Sequence, residues 1–254
     1  MGGLGNQLFQ WACARNLQEK YGHFIKYDLG FYNNQNFRKP QLNEFKYLQF
    51  NTVEIQPAFR DIGVGDLFSY YNFNTKNLSD LSVRYHLDGY WQSEKYFEEN
   101  AATIKQNLEI DPRIEYYIED NYPFIKSEKT VSLHIRRTDY VSSNGYHPVQ
   151  PLSYYQQALD LLTYDKILVF SDDIEWCKQN LKFKNIVFSE GNSNIEDLYL
   201  MSACSDNVIA NSSFSWWAAW MNKNVDKKVI APVNWFGPGG PSDKDIIPKS
   251  WVKI

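Results

Sequence analysis

From residue 130 onward, short apolar runs alternate with longer segments whose apolar residues recur at helical spacing. The runs at 131–135, 167–171, 186–188, 208–210 and 228–231 have the length and sharp polar borders of buried strands. Helical spacing fills the intervals at 153–162, 174–181, 194–204 and 215–221. Two of these helices open on capping-box pairs, Ser153 with Gln156 and Ser193 with Glu196. Short apolar strands alternating with helices make a parallel sheet with helices on both faces. Residues 126–254 are therefore expected to form a Rossmann-like domain.

The first half is less regular. A glycine-rich turn within residues 1–10 runs into a helix ending near Tyr21, with Gly22 as its stop signal, and 23–28 reads as a strand. A glycine-rich turn that enters a helix ordinarily follows a strand, so one is expected ahead of Met1. Residues 30–80 show no clear period, whereas 84–91 suggests a strand and 94–108 a helix. A charged, proline-punctuated stretch at 111–129, with a helix at 114–122, separates the halves and sets domains of 1–125 and 126–254. The class is α/β.

Composition narrows the function. The 254 residues are 43% hydrophobic and 22% charged, the balance of a globular protein. A net charge of −4 argues against a general nucleic-acid binder, so any bound anion must be caught locally. Cys13, Cys177 and Cys204 are odd in number and lack zinc-site spacing, which leaves them as small buried hydrophobes in a reducing compartment. No run approaches the roughly 18 apolar residues that would span a bilayer, and no signal peptide opens the chain. Aromatic residues reach 17%, and their faces suit sugar C–H surfaces as well as a core.

In a parallel sheet, ligands bind outside the carboxyl ends of the strands. Three such ends are unusually polar: residues 134–139, 171–173 and 211–217. Arg136 and Arg137 present donor forks that match phosphate oxygens, the alternative being a surface ion pair with Asp139. Residues 211–215 end a strand and open a helix, where hydroxyls and free N–H groups meet an anion at the positive end of the dipole. Asp173 is placed to cap the helix at 174. That leaves Asp172 to accept the N1–H and N2–H donors of a guanine edge, with a divalent ion as the alternative for the pair. Gly2 to Gly5 lack the lysine of a P-loop, so a tight turn is the simplest reading, with Asn6 and Gln7 facing a cleft if the first half is also Rossmann-like.

The segments GGLGNQLFQ (2–10), HIRRTDYV (134–141) and NSSFSWWAAWM (211–221), in that order, with the ending IIPKSWVKI, resemble the bacterial α-1,2-fucosyltransferases of glycosyltransferase family 11. The likeness covers nearly the whole chain. It implies a GT-B fold, two Rossmann-like domains facing a central cleft, the first on the acceptor side and the second holding GDP-L-fucose. It implies inverting transfer to the 2-hydroxyl of a terminal β-galactoside, with no metal and no cofactor. Arg136 and Arg137 would contact the diphosphate, and His134 and Asp172 the guanine. Ser212, Ser213, Phe214 and Ser215 would cap the phosphates, and Asn6 would lie beside the fucose. Asp139 is the nearest candidate for a general base, an orienting ion pair being its other reading. By analogy the acceptor is a surface glycan, lipid-linked, met in the cytoplasm at the inner membrane face. A fucosyltransferase of another linkage (α-1,6 or protein O-linked) and a carbohydrate- or nucleotide-binding protein without turnover are the alternatives.

Overall fold

The computed structural model describes residues 1–34, 38–48, 50–53, 87–143 and 145–254. The chain divides into two compact units, Met1–Glu109 with Ser242–Pro248, and Ile110–Pro241 with Lys249–Ile254.

In the first unit, α1 (Leu4–Tyr21) follows the glycine turn directly and buries residues all around its circumference, among them Leu8, Phe9 and Trp11. It stops at Gly22, whose left-handed φ of 76° lets its N–H close on the Gln18 carbonyl. The strand expected at 23–28 shortens to β1 (Tyr27–Asp28), paired in parallel with β2 (Thr52–Val53). Of the strand expected at 84–91, residues 84–86 lie outside the described residues. Residues 87–91 are not a strand, and Trp91 takes a positive φ of 57°. The helix expected at 94–108 breaks into two 3-10 turns, Glu94–Tyr96 and Glu98–Asn100, before α2 (Ala101–Asn107). Phe97 explains the break: fully buried, with its ring 6.2 Å from Phe9, it holds the chain at φ −148°, outside the helical range.

The second unit begins earlier than residue 126. Its first helix, α3 (Pro112–Asn121), is capped by Asp111 and bonded to it through Tyr117, whose hydroxyl donates to Asn192 at 2.6 Å. Six parallel strands follow: β3 (Thr130–Ile135), β4 (Lys166–Ser171), β5 (Ile186–Phe188), β6 (Asp206–Val208), β7 (Val229–Ala231) and β8 (Val252–Lys253). Their order is β5-β4-β3-β6-β7-β8. Counted within the unit this is 3-2-1-4-5-6, the doubly wound dinucleotide-fold order, and its direction reverses between β3 and β6. The connecting helices are α4 (Thr138–Val141), α5 (Leu152–Asp160), α6 (Ile174–Asn180), α7 (Asn194–Ala203) and α8 (Ser213–Met221).

Local chemistry accounts for most boundaries. The capping box at Ser193 and Glu196 forms as expected. The one expected at Ser153 does not, because α5 starts at Leu152 behind Pro151, whose ring fixes an extended N-cap without side-chain help. Strand β6 lies two residues ahead of the apolar run because Asp206 and Asn207 are buried polar members of the ladder. Asn207 donates to Ser132 Oγ (2.7 Å) and to the Met201 carbonyl (2.9 Å). All three cysteines are buried and free, and burial pushes the Cys13 and Cys204 thiols up to about 12. No helix among the described residues is long and apolar enough to cross a membrane.

Candidate active site

Strand β3 is buried along its whole length, so its first accessible residues are those just past its carboxyl end, Arg136 and Arg137. The strand pairs in register with β4, Ile135 beside Ser171, which brings Asp172 and Asp173 against the arginines. Asp172 Oδ1 accepts the Arg137 backbone N–H at 2.9 Å. Its Oδ2 accepts the Thr138 N–H at 3.2 Å, accepts a short bond from the Thr138 hydroxyl and lies 3.2 Å from Arg136 Nε. The carboxylate expected to be free for a guanine edge is thus committed to shaping the turn that carries both arginines. Unpaired N–H groups at a strand end need such an acceptor.

The two guanidiniums are held differently. Arg136 grips Asp139 Oδ1 through Nε (2.9 Å) and Nη2 (2.8 Å), with its head 5.7 Å from the Tyr140 ring centre. Arg137 donates through Nε to Asp173 Oδ2 at 3.0 Å, and its guanidinium carbon lies over the Trp176 ring, 3.7 Å from the ring centre. Among the described residues, the Nη groups of Arg137 have no hydrogen-bond partner, so their donors are free for a ligand. Asp173 also caps α6, accepting from Trp176 N–H at 3.4 Å. Among the described residues, no group of three or more His, Cys, Asp or Glu side chains is placed to hold a metal.

Across the switch point lies the start of α8. This helix is apolar around its whole circumference and is buried, with Trp216 and Trp217 fully enclosed and Trp251 packed on Trp216 at 5.4 Å, so its N-terminus is fixed. Ser212 is the N-cap and makes no side-chain cap bond, leaving the first-turn N–H groups of Ser213, Phe214 and Ser215 without intrahelical partners. The Ser215 hydroxyl meets His134 Nδ1 at 2.8 Å and the Ser212 carbonyl at 3.3 Å. With that hydroxyl donating to the carbonyl, Nδ1 carries the ring proton and Nε2 is left as an acceptor. Phe214 packs edge-on against the same imidazole at 5.9 Å.

Burial, reinforced by the Arg136 charge, lowers the His134 pKa to about 4. Between pH 4 and 6.5 the unfolded chain therefore binds a proton that the folded one refuses. His134 contributes stability in full above about pH 6.5, and loses it as pH falls toward 4. Urea denaturation at pH 7 and pH 4.5 should show a loss on the order of 2 kcal/mol from this residue, absent in His134→Gln.

Asn6 belongs to the first unit. Its Oδ1 accepts from Gln92 Nε2 at 2.7 Å, and its side chain packs so closely on Gly2 that a Cβ there would come within 2.6 Å of it. Gln7 locks the turn by donating to the Gly2 and Lys39 carbonyls.

One further residue organises this end of the sheet. Asn211, 2% exposed, donates through Nδ2 to the carbonyls of Pro148 (3.1 Å) and Trp235 (3.0 Å), and its own carbonyl accepts from the Tyr140 hydroxyl (2.8 Å). It ties together the loops that follow β3, β6 and β7. Only its place at the head of the polar segment 211–217 marked it.

A family model for glycosyl transferase family 11 matches residues 4–254. The chain belongs to this family. It is 32% identical to an α-1,2-colitosyltransferase of Escherichia coli over all of this chain and 96% of that protein, and 28% identical to the O-antigen biosynthesis glycosyltransferase WbnK of the same species, over all of this chain and 98% of that one. A galactoside 2-α-L-fucosyltransferase of Bos taurus matches 53% of the chain at 26% identity. Among solved structures, the α-1,6-fucosyltransferase NodZ co-crystallised with GDP aligns with a TM-score of 0.54 at 15% identity, over 85% of this chain and 88% of that one. The structural likeness makes the fold GT-B-like, and family membership makes the protein a glycosyltransferase.

Proposed function

We propose that this glycosyltransferase moves L-fucose from GDP-β-L-fucose to the 2-hydroxyl of a terminal β-galactoside, with inversion and without a metal. The observation that carries the reading is the pairing, across the β3/β6 switch point, of two arginines with an open helix N-terminus. As the glycosidic bond breaks, negative charge grows on the β-phosphate. Guanidinium donors and helix N–H groups already aimed at it replace the charge that a divalent ion supplies elsewhere. Similarity to α-1,2 transferases supports the linkage, and the GDP and GDP-fucose in NodZ crystals support the nucleotide. His134 is proposed to meet the guanine edge, and Asn6 to lie beside the sugar. The acceptor is read as a surface glycan, lipid-linked and met at the cytoplasmic membrane face, from the O-antigen relative alone.

Asp139 is bound to Arg136 through two bonds, and a carboxylate so neutralised is a weak base. It is proposed to orient Arg136. Asp139→Asn should lower kcat about tenfold while leaving the acidic limb of the pH-rate profile in place; loss of that limb would instead make Asp139 the base.

The colitosyltransferase relative favours a second donor, GDP-colitose, which lacks the 3-hydroxyl of fucose. Incubation with each donor and a β-galactoside decides between them. The expected result is acceptor-dependent GDP release with GDP-fucose and an α-1,2 product by NMR. Preference for GDP-colitose would replace the donor, an α-1,6 product would replace the linkage, and binding of GDP-fucose without release would make the chain a binder.

A further inference from the structure

Beyond α4 the chain turns at Gly145, where a φ of 81° suits glycine alone, and then presents Tyr146 and His147. This turn is docked backbone to backbone on the segment after β7. Gly237 N–H donates to the Tyr146 carbonyl at 3.0 Å, and a Cβ on Gly237 would lie 1.7 Å from the Gly145 carbonyl oxygen. The Ser143 hydroxyl closes the turn from within, bonding the Tyr140 and His147 carbonyls at 2.8 and 3.0 Å. Asn211 holds the adjoining Pro148 carbonyl from below.

The rings form a ladder outward from the arginine pair. Tyr140, under the Arg136 head, stacks nearly parallel on His147 at 4.8 Å, and His147 meets Tyr146 edge-on at 4.8 Å. Phe236 supports both His147 (5.5 Å) and Tyr146 (5.7 Å). Despite this seating Tyr146 remains 46% exposed, and its hydroxyl has no hydrogen-bond partner among the described residues. An exposed aromatic ring immobilised in advance loses little conformational entropy when a ligand covers it, which favours stacking on it.

We propose that Tyr146 is the platform on which the acceptor sugar rests, stacking on the apolar face of a galactoside ring. The axial 4-hydroxyl of galactose leaves one ring face lined by C–H groups at carbons 3, 4 and 5, a surface that matches an aromatic face, while the free phenol offers a hydrogen bond to a ring hydroxyl. Two ring contacts carry the ladder from Tyr146 to Tyr140, which lies beside the Arg136 head. The inference rests on the galactoside reading above and adds the residue that selects it.

Transfer kinetics and saturation-transfer NMR with methyl β-galactoside on the GDP-loaded protein test it together. Tyr146→Ala should raise the galactoside KM about 5- to 10-fold and weaken the NMR response in step, as loss of one stacking contact implies. The KM for GDP-fucose and the calorimetric Kd for GDP should not move, and Tyr146→Phe should keep most of the affinity. Gly237→Ala should reproduce the galactoside defect by lifting the loop. Tyr146→Ala that binds and uses the galactoside like the wild type overturns the platform, as does a parallel loss of GDP affinity. A wild-type protein that neither binds nor uses galactosides, yet transfers to another sugar, overturns the galactoside reading and the platform together.

Discussion

Arg136→Ala should lower kcat/KM for transfer by at least 100-fold, while circular dichroism and the melting temperature stay close to wild type. Removing one preorganised donor to a developing oxyanion typically costs about 100- to 1000-fold in rate. Here the loss should sit toward the upper end, because Arg136 also neutralises Asp139 and stands 3.2 Å from Asp172. Without it, Asp139 and Asp172 each lose a cation while facing an incoming diphosphate, so GDP affinity should fall as well. Arg136→Lys keeps the charge but not the fork, and should recover part of the binding and little of the rate. Adding Asp139→Asn to Arg136→Ala removes one repelling charge and should restore some GDP affinity without restoring turnover. The fold is spared because the head group lies past the end of β3, outside the core that Val131, Leu133 and Ile135 build. Transfer within threefold of wild type would remove Arg136 from the leaving-group role.

How much of this site could be read in advance depended on what each residue contacts. The strands of the second unit were legible because β4 leaves an unbroken apolar run and β3 alternates Val131, Leu133 and Ile135 with Ser132 and His134, and polar residues at their ends then stood out. β6 was displaced because Asp206 and Asn207 are buried polar residues bonded inside the protein, Asp206 Oδ1 accepting the Lys228 N–H and Asn207 donating to Ser132, which no apolar pattern records. β8, two exposed residues including Lys253, offered no pattern at all. The adjacent acids Asp172 and Asp173 were recognisable as a site, and the capping role of Asp173 followed from its position before α6. That Asp172 is filled by the N–H groups of Arg137 and Thr138 depends on the register of β3 with β4, a long-range fact. The same holds for Trp176 beneath Arg137. In the first half, Phe97 broke an expected helix through a contact with Phe9, far away in sequence.

Asn211→Asp should be strongly destabilising although it is isosteric. The wild-type amide donates to two backbone carbonyls, of Pro148 and Trp235, from a site 2% exposed. An aspartate of the same shape replaces those donors with an acceptor that faces both carbonyl oxygens and carries a buried charge without a cation. Leaving a buried charge uncompensated costs on the order of 3–5 kcal/mol. For a unit of this size that corresponds to a fall in melting temperature of roughly 10 °C or more. The group can relieve the cost by keeping its proton, since a protonated carboxyl donates one hydrogen bond, so its pKa in the folded state should rise well above the usual carboxylate range. The difference in stability from wild type should therefore shrink as pH is lowered from 8 to 5, the reverse of the trend that His134 imposes on the wild-type protein. Asn211→Ala leaves the carbonyls unpaired but introduces no charge, and should cost less and show no such pH dependence. The Tyr140 hydroxyl donates to the backbone carbonyl of the same residue, which both variants keep, so loss of transfer should follow the loss of stability. Equal stability of Asn211→Asp and wild type at pH 8 would mean that the three loops at this end of the sheet are held by something other than this amide.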